Sequence, residues 1–214
     1  MSDVWSDRAE AYRTSAVHAS GDDLDLLVEW CEPAEGVNAL DVATGGGHVA
    51  RRLREAGATV VTVDPAPGMQ ADTTAPAEDL PFADGSFDVV ACRLAAHHFA
   101  DVSRAIQEFA RVAGERVVIC DNTFVSDVSE EADVLRDPSH VRNYSVDEWH
   151  ELFAAAGLEV VDERFMYRPL EIEPWLERAG CASDDAARVR ELLADRIVDG
   201  VMDLPTLVLK GVKR

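Results

Sequence analysis

The first residues able to do chemistry are an aspartate and the small residues spaced after it. In "ALDVATGGGHVARRL", residues 39–53, Asp41 is followed at alternate positions by Ala43, Gly45 and Gly47. A second aspartate, Asp64, closes the next apolar run, "ATVVTVD". The apolar pattern passes through the glycines straight into a helix pattern that begins at His48. Glycine removes the Cβ atoms that would hold a ligand off the backbone. The first amides of a helix favour an anionic group. A carboxylate accepts two hydrogen bonds side by side, which suits neighbouring hydroxyls at Asp64 and an ammonium at Asp41. A small polar ligand is therefore expected against this turn.

Three ligand types use such a turn. A Walker-type phosphate loop needs a lysine followed by Ser or Thr, and His48 stands there instead, so that reading fails. A dinucleotide fingerprint fits loosely from Gly45, with Asp64 ending the second strand. The third candidate is S-adenosylmethionine (SAM), whose turn starts with an acid in the pattern D-x-G-x-G-x-G; here Ala43 takes the first glycine place. SAM has no pyrophosphate to span the turn, so its methionine portion and ribose would meet Asp41, the glycines and Asp64. The residue chemistry favours this third reading.

These residues need strands and helices to hold them. "VNALDVA" (37–43), "ATVVTVD" (58–64), "SFDVVACRLA" (86–95) and "ERVVICDN" (115–122) read as strands. Their nearly continuous apolar runs suit a parallel sheet covered on both faces. Helix patterns lie between them at 48–56 and 101–113, and two short ones precede them at 3–13 and 22–32. Ser145 and Glu148 have capping-box spacing at the head of a 145–157 helix, whose Trp149 and Phe153 form its buried side. A strand at 158–167, helices near 172–179 and 184–199, and a final strand at 204–212 complete the chain. The alternation predicts a doubly wound α/β sheet.

Composition bounds the setting. At 214 residues the chain fits one domain. No early apolar run suits a signal peptide and no stretch is long enough to span a membrane, so a cytoplasmic protein is expected. Cys31, Cys92, Cys120 and Cys181 are far apart and read as reduced thiols; no metal site is expected. Asp and Glu number 41 against 20 Lys and Arg, a net charge of −21, and only Lys210 and Lys213 are lysines. Nucleic acid needs a basic footprint, so it is not an expected partner. Concentrated salt screens such self-repulsion to roughly 3 Å at molar strength. The balance is read as adaptation to a high-salt cytosol, as in halophilic archaea.

A further stretch, "AEDLPFADGSFDVVACRLAAHHFADVSRAIQEFARV" (77–112), resembles the segment around the fourth strand of class I SAM-dependent methyltransferases. The likeness is to the group related to ubiquinone and menaquinone biosynthesis methyltransferases, called methyltransferase type 11. "AEAYRTSAVHASGDDLDLL" (9–27) and "LRDPSHVRNYSVDEWHELFAAAGLEVV" (135–161) resemble members of the same group. The resemblance implies a Rossmann-like seven-stranded sheet of order 3-2-1-4-5-7-6, with only the last strand antiparallel. It implies one domain over 1–214, an N-terminal helical lid over 1–35 and a helical insertion over 170–200. Cofactor contacts are expected from Asp41, Ala43, Gly45, Gly47, Asp64, Ala77, Glu78 and Leu94. The partner is expected to be a small-molecule methyl acceptor, and the chain a monomer or homodimer.

If the acceptor must lose a proton, a general base helps. His97 and His98 stand after the fourth strand and are the candidate catalytic residues, with their rings expected on different sides. Asp121 and Asn122 are expected to face the crevice, and Tyr12 and His18 to belong to the lid. Arg136, His140 and Arg142 are candidates to meet an anionic acceptor. One segment departs from the family. Residues 65–79 replace a helix and a third strand, and Pro76 occupies the place of a polar adenine contact. The alternative reading is therefore a degenerate SAM fold that binds SAM weakly or not at all and serves as an interaction module.

The acid excess carries its own test. The melting temperature is expected to rise between dilute buffer and molar potassium chloride; an unchanged value would defeat the salt reading.

Overall fold

The computed structural model describes residues 4–213. Residues 1–3 and 214 lie outside, and with them the first positions of the expected 3–13 helix and 1–35 lid. Helices α1 (Val4–Arg13), α2 (Ala16–Ala19) and α3 (Asp22–Cys31) come first. Then follow β1 (Asn38–Val42), α4 (His48–Glu55), β2 (Thr59–Asp64), β3 (Thr73–Thr74) and β4 (Phe87–Arg93). The second half holds α5 (Val102–Val112), β5 (Ala113–Asn122), α6 (Asp127–Arg136), α7 (Val146–Ala155) and β6 (Leu158–Glu171). Helices α8 (Ile172–Ala179) and α9 (Ser183–Leu192) and strands β7 (Ile197–Val198) and β8 (Val201–Lys213) end it.

The sheet runs β3-β2-β1-β4-β5-β8-β6, and β8 alone lies antiparallel to its two main neighbours. This is the expected order, with β7 added as a short strand on β8. Successive β4 residues serve opposite faces, as a strand's period of two requires. Val90 and Cys92 join Phe109, Trp149 and Phe153 under α5 and α7. Val89 and Ala91 join Leu24, Leu27 and Leu53 under α3 and α4. A third apolar cluster, with Ala132, Trp175, Leu176, Val189 and Met202, joins α6, α8 and α9 to the far ends of β6 and β8. No helix among the described residues is long and apolar enough to cross a membrane.

Several elements differ from the sequence reading, the short α2 among them. Helix α6 is absent from the sequence reading: Val128, Ala132 and Leu135 have helical spacing, but Val128 is half exposed and only Ser129 and Ala132 are fully buried. The expected 184–199 helix stops at Leu192, and Ile197–Val198 turns back onto β8 through Asp199 and Gly200. Both have positive φ, 51° and 79°, as a two-residue hairpin turn demands, and Asp-Gly is a usual sequence for it. That hairpin starts β8 at Val201 rather than residue 204, and pairing with it carries β6 on to Glu171. The 65–79 segment is as short as expected: a 3-10 turn, Pro67–Met69, and the two residues of β3 are all it holds.

Gly211 of β8 gives a direct probe of this packing. A Cβ there would lie 2.6 Å and 2.8 Å from ring atoms of the fully buried Phe153. Gly211→Ala is expected to cost about 1–3 kcal/mol of stability by overpacking, read from denaturant unfolding.

Candidate active site

The strands β1, β2 and β4 end together at a cavity of about 310 Å³. Its wall includes Asp41, Ala43, Gly45, Asp64, Ala77, Glu78, Leu94 and His98. Two residues expected at the site are not on this wall. Gly47 has φ 75° and caps α4, its N–H donating to the Thr44 carbonyl at 2.8 Å. Its glycine serves the turn. His97 instead lines a smaller neighbouring cavity of about 50 Å³, shared with Tyr12, His18, Leu94 and His98.

Both aspartates are buried and already hold the loops around them. The Asp41 Oδ2 accepts from Thr44 Oγ1 at 2.6 Å and from the Ala50 N–H at 3.0 Å. Burial pushes its carboxyl up to about 6, against the pull of those bonds. Asp64 accepts the Gly45 N–H at 3.0 Å on Oδ2 and the Ala66 N–H at 2.9 Å on Oδ1. Each carboxylate oxygen carries two lone pairs, so one such group can accept more than two hydrogen bonds. The Glu78 carboxylate accepts the N–H groups of Ala100 and Asp101 at 2.9 Å and 3.2 Å, fixing the entry to α5.

The middle glycine has a reason that the motif alone does not give. A Cβ at Gly46 would stand 2.6 Å from the Tyr12 carbonyl oxygen, so α1 closes directly on the turn. The same carbonyl lies 2.9 Å from His48 Nε2. Trp5, Met69, Arg93 and Phe99 also reach the wall and were not foreseen. Trp5 sits in a short polar helix with no spacing signal. Arg93 ends β4, where its Nε donates to the buried Asp23 at 2.8 Å and a second nitrogen to the His18 carbonyl.

The two histidines do not diverge as expected; their ring centroids are 4.2 Å apart. The 3-10 turn Ala96–His98 brings them together. His97 Nδ1 is 2.5 Å from Asp121 Oδ1, and the His97 N–H donates to Asp121 Oδ2 at 3.0 Å. Burial opposes a charge on His97, but the Asp121 carboxylate outweighs it and holds the imidazole above its ordinary range. His98 Nδ1 lies 3.1 Å from the Ser139 carbonyl, which only accepts, so the proton is on Nδ1. Burial, then the neighbouring His97, push the His98 imidazole down to about 3. Asn122 and Arg136 line the smaller cavity. His140 pairs with Glu130 and packs behind His97, its ring centroid 5.6 Å away, and Arg142 pairs with Glu148; neither lines the cavity.

The site fits SAM on its own chemistry. It joins two buried carboxylates, left-handed backbone at Ala43 and Gly45 (φ 54° and 51°) and the start of α4 in one cavity. Pro65, Met69 and Pro76 wall its far side without adding a side-chain donor.

Comparison with known proteins agrees. A family model described as a methyltransferase domain, Methyltransf_11, matches residues 40–119. The uncharacterized methyltransferase YcgJ of Bacillus subtilis is 34% identical over 202 residues, covering 84% of this chain and 80% of YcgJ. The YcgJ crystal structure superposes with a TM-score of 0.81 at 27% identity, over 90% of this chain and 98% of that one. A demethylmenaquinone methyltransferase of Thermus thermophilus is 39% identical over 98 residues, 37% of this chain and 44% of that protein. With the strand order, the acid-led glycine turn and the YcgJ likeness all in accord, the chain belongs to the class I SAM-dependent methyltransferases.

Proposed function

We propose that this chain methylates a small-molecule acceptor, in the cytoplasm of a salt-adapted cell, with His97 as general base. The observation that carries the reading is a second cavity directly beside the main one. Trp5, Tyr12 and His18 from the N-terminal helices line the main cavity, and the 50 Å³ annex adjoins it across Tyr12, His18, Leu94 and His98. In this reading α1–α3 form a lid, and residues 170–200 a helical insertion within a single domain.

Bound SAM supplies an electrophilic methyl group on a sulfonium. The chain's part is to place and align. Asp64 accepts the ribose hydroxyls, and Asp41 with Ala43, Gly45 and the α4 amides receives the methionine end. Ala77, Glu78 and Leu94 border the adenosine, and Gly47 keeps the turn in shape. Holding acceptor and methyl in line makes the step effectively intramolecular. His97 Nδ1–H donates to Asp121, which leaves Nε2 as the proton acceptor. His98 is kept uncharged and separates the two cavities.

Two expectations follow from these assignments. Asp64→Ala removes charge-assisted hydrogen bonds worth on the order of 1.5–3 kcal/mol each, so SAM binding should weaken at least about tenfold by calorimetry. An unchanged affinity would show that the ribose lies elsewhere.

A base must be unprotonated to act, and His97 stays protonated to a higher pH than an ordinary histidine. The turnover number should therefore fall as pH drops through the range above 6.5. His97→Gln should lower it and flatten that limb, with KM for SAM unchanged. A pH profile identical in His97→Gln and the parent would remove His97 from the role.

A further inference from the structure

In this acidic chain guanidinium groups generally find carboxylates. Arg8 pairs with Asp137, Arg52 with Asp25, Arg93 with Asp23, Arg111 with Glu108 and Arg190 with Glu173. Arg136, Arg168 and Arg178 do not. They come from α6, β6 and α8, far apart in sequence, and converge on the wall of the 50 Å³ annex beside the main cavity. Among the described residues none of the three forms an ion pair, and Arg178 makes no hydrogen bond either.

Each neighbour that could neutralise them is occupied. Asp137 is held by Arg8 and by Ser139, and Asp133 by Asn143. Arg136 has only the Trp175 carbonyl at 3.3 Å and the Trp175 ring 4.3 Å from its guanidinium carbon. Arg168 donates to Thr206 Oγ1 and Asn122 Oδ1, both at 3.0 Å and both neutral. The local field is visible on His18, which burial and then Arg178, Arg93 and Arg168 hold well below the usual histidine range. Burial lowers Arg136, and burial together with the Arg136 charge lowers Arg178. Clustered, half-buried like charges are costly unless an anion joins them.

We propose that the annex is the anion subsite of the acceptor: Arg136, Arg168 and Arg178 take the carboxylate of a small organic acid. This rests on the methyl-transfer reading above. A carboxylate has three heavy atoms and matches the planar guanidinium fork, so it suits a space of this size. The rest of the acid then extends past His97 and His98 toward the main cavity. The subsite selects the acceptor by charge, which Asp41 and Asp64 in the main cavity would repel.

The test uses the full chain loaded with S-adenosylhomocysteine and two probes of one shape, acetate and acetamide, at constant ionic strength. Saturation-transfer NMR should detect acetate and not acetamide. Arg178→Ala should weaken acetate binding by about tenfold or more, while Arg190→Ala, in an exposed pair outside the annex, should leave it unchanged. Equal signals from the two probes, or acetate binding untouched by Arg178→Ala, would overturn the proposal. Calorimetry with S-adenosylhomocysteine runs in parallel. Retained affinity in Arg178→Ala shows that the variant is folded. No binding to the parent chain would instead defeat the methyl-transfer reading, and acetate titrated alone would still judge the subsite.

Discussion

The site depends on carboxylates at strand ends that capture the backbone of the loops beside them. Asp41 ends the core of β1 and takes the Ala50 amide; Asp64 ends β2 and takes those of Gly45 and Ala66. Asp121, near the end of β5, takes those of His97 and Asn122. All three are buried, at 1%, 5% and 1% exposure. A buried carboxylate without such donors is strongly disfavoured, and a loop amide without an acceptor is disfavoured too. Each therefore requires the other. Between Asp41 and Asp121 the β4 strand ends in Arg93, paired with Asp23 of α3, so a charge of opposite sign locks the helical layer to the same edge. The outcome is a polar rim on an apolar sheet, with the loops after β1, β2 and β4 each tied to a strand-end carboxylate.

That rim also carries strain. Ala43 and Leu94 both adopt left-handed backbone, with φ 54° at each, and both line the cavity. A side chain with a Cβ in this region costs roughly 1–2 kcal/mol, which glycine would avoid. The surrounding bonds enforce it: Leu94 donates its N–H to the Cys120 carbonyl at 2.7 Å, and Thr44, next to Ala43, donates to the Val63 carbonyl. Alanine in the first glycine place of the motif is thus accommodated by the loop and does not alter its course.

Much of this was legible in the sequence because it rests on period and spacing. The apolar runs of β1, β2, β4 and β5 gave the parallel sheet, and Asp41 to Gly47 gave the turn at its edge. Capping chemistry placed α7, where Ser145 and Glu148 form the expected box. What escaped had no local signal or contradicted one. Helix α6 carries few apolar residues and leaves Val128 and Val134 exposed, and its place is set by α9 and the third apolar cluster. Asp199-Gly200 was overlooked because the helical spacing before it was read through the hairpin. The convergence of Arg136, Arg168 and Arg178 is a property of three elements meeting, and no window of sequence contains it.

The shortened 65–79 segment has a consequence for how α1 is held. Lacking a helix there, the chain rests α1 on the turn instead: Ser6 Oγ accepts the Gly68 N–H at 2.7 Å, and Arg13 donates to the Gly68 carbonyl at 3.1 Å. A Cβ on Gly68 would meet Ser6 at 2.5 Å, so the two backbones are in direct contact. The far side of α1 is tied by Arg8 to Asp137 and the Ala179 carbonyl. One helix thus bridges the turn at Gly68 and the helices around the annex. Its side chains therefore hold two regions of the fold that share no strand. A change at the 67–69 turn and a change at the Asp137 side thus reach the same ten-residue helix, whose Trp5 and Tyr12 stand on the cavity wall between them.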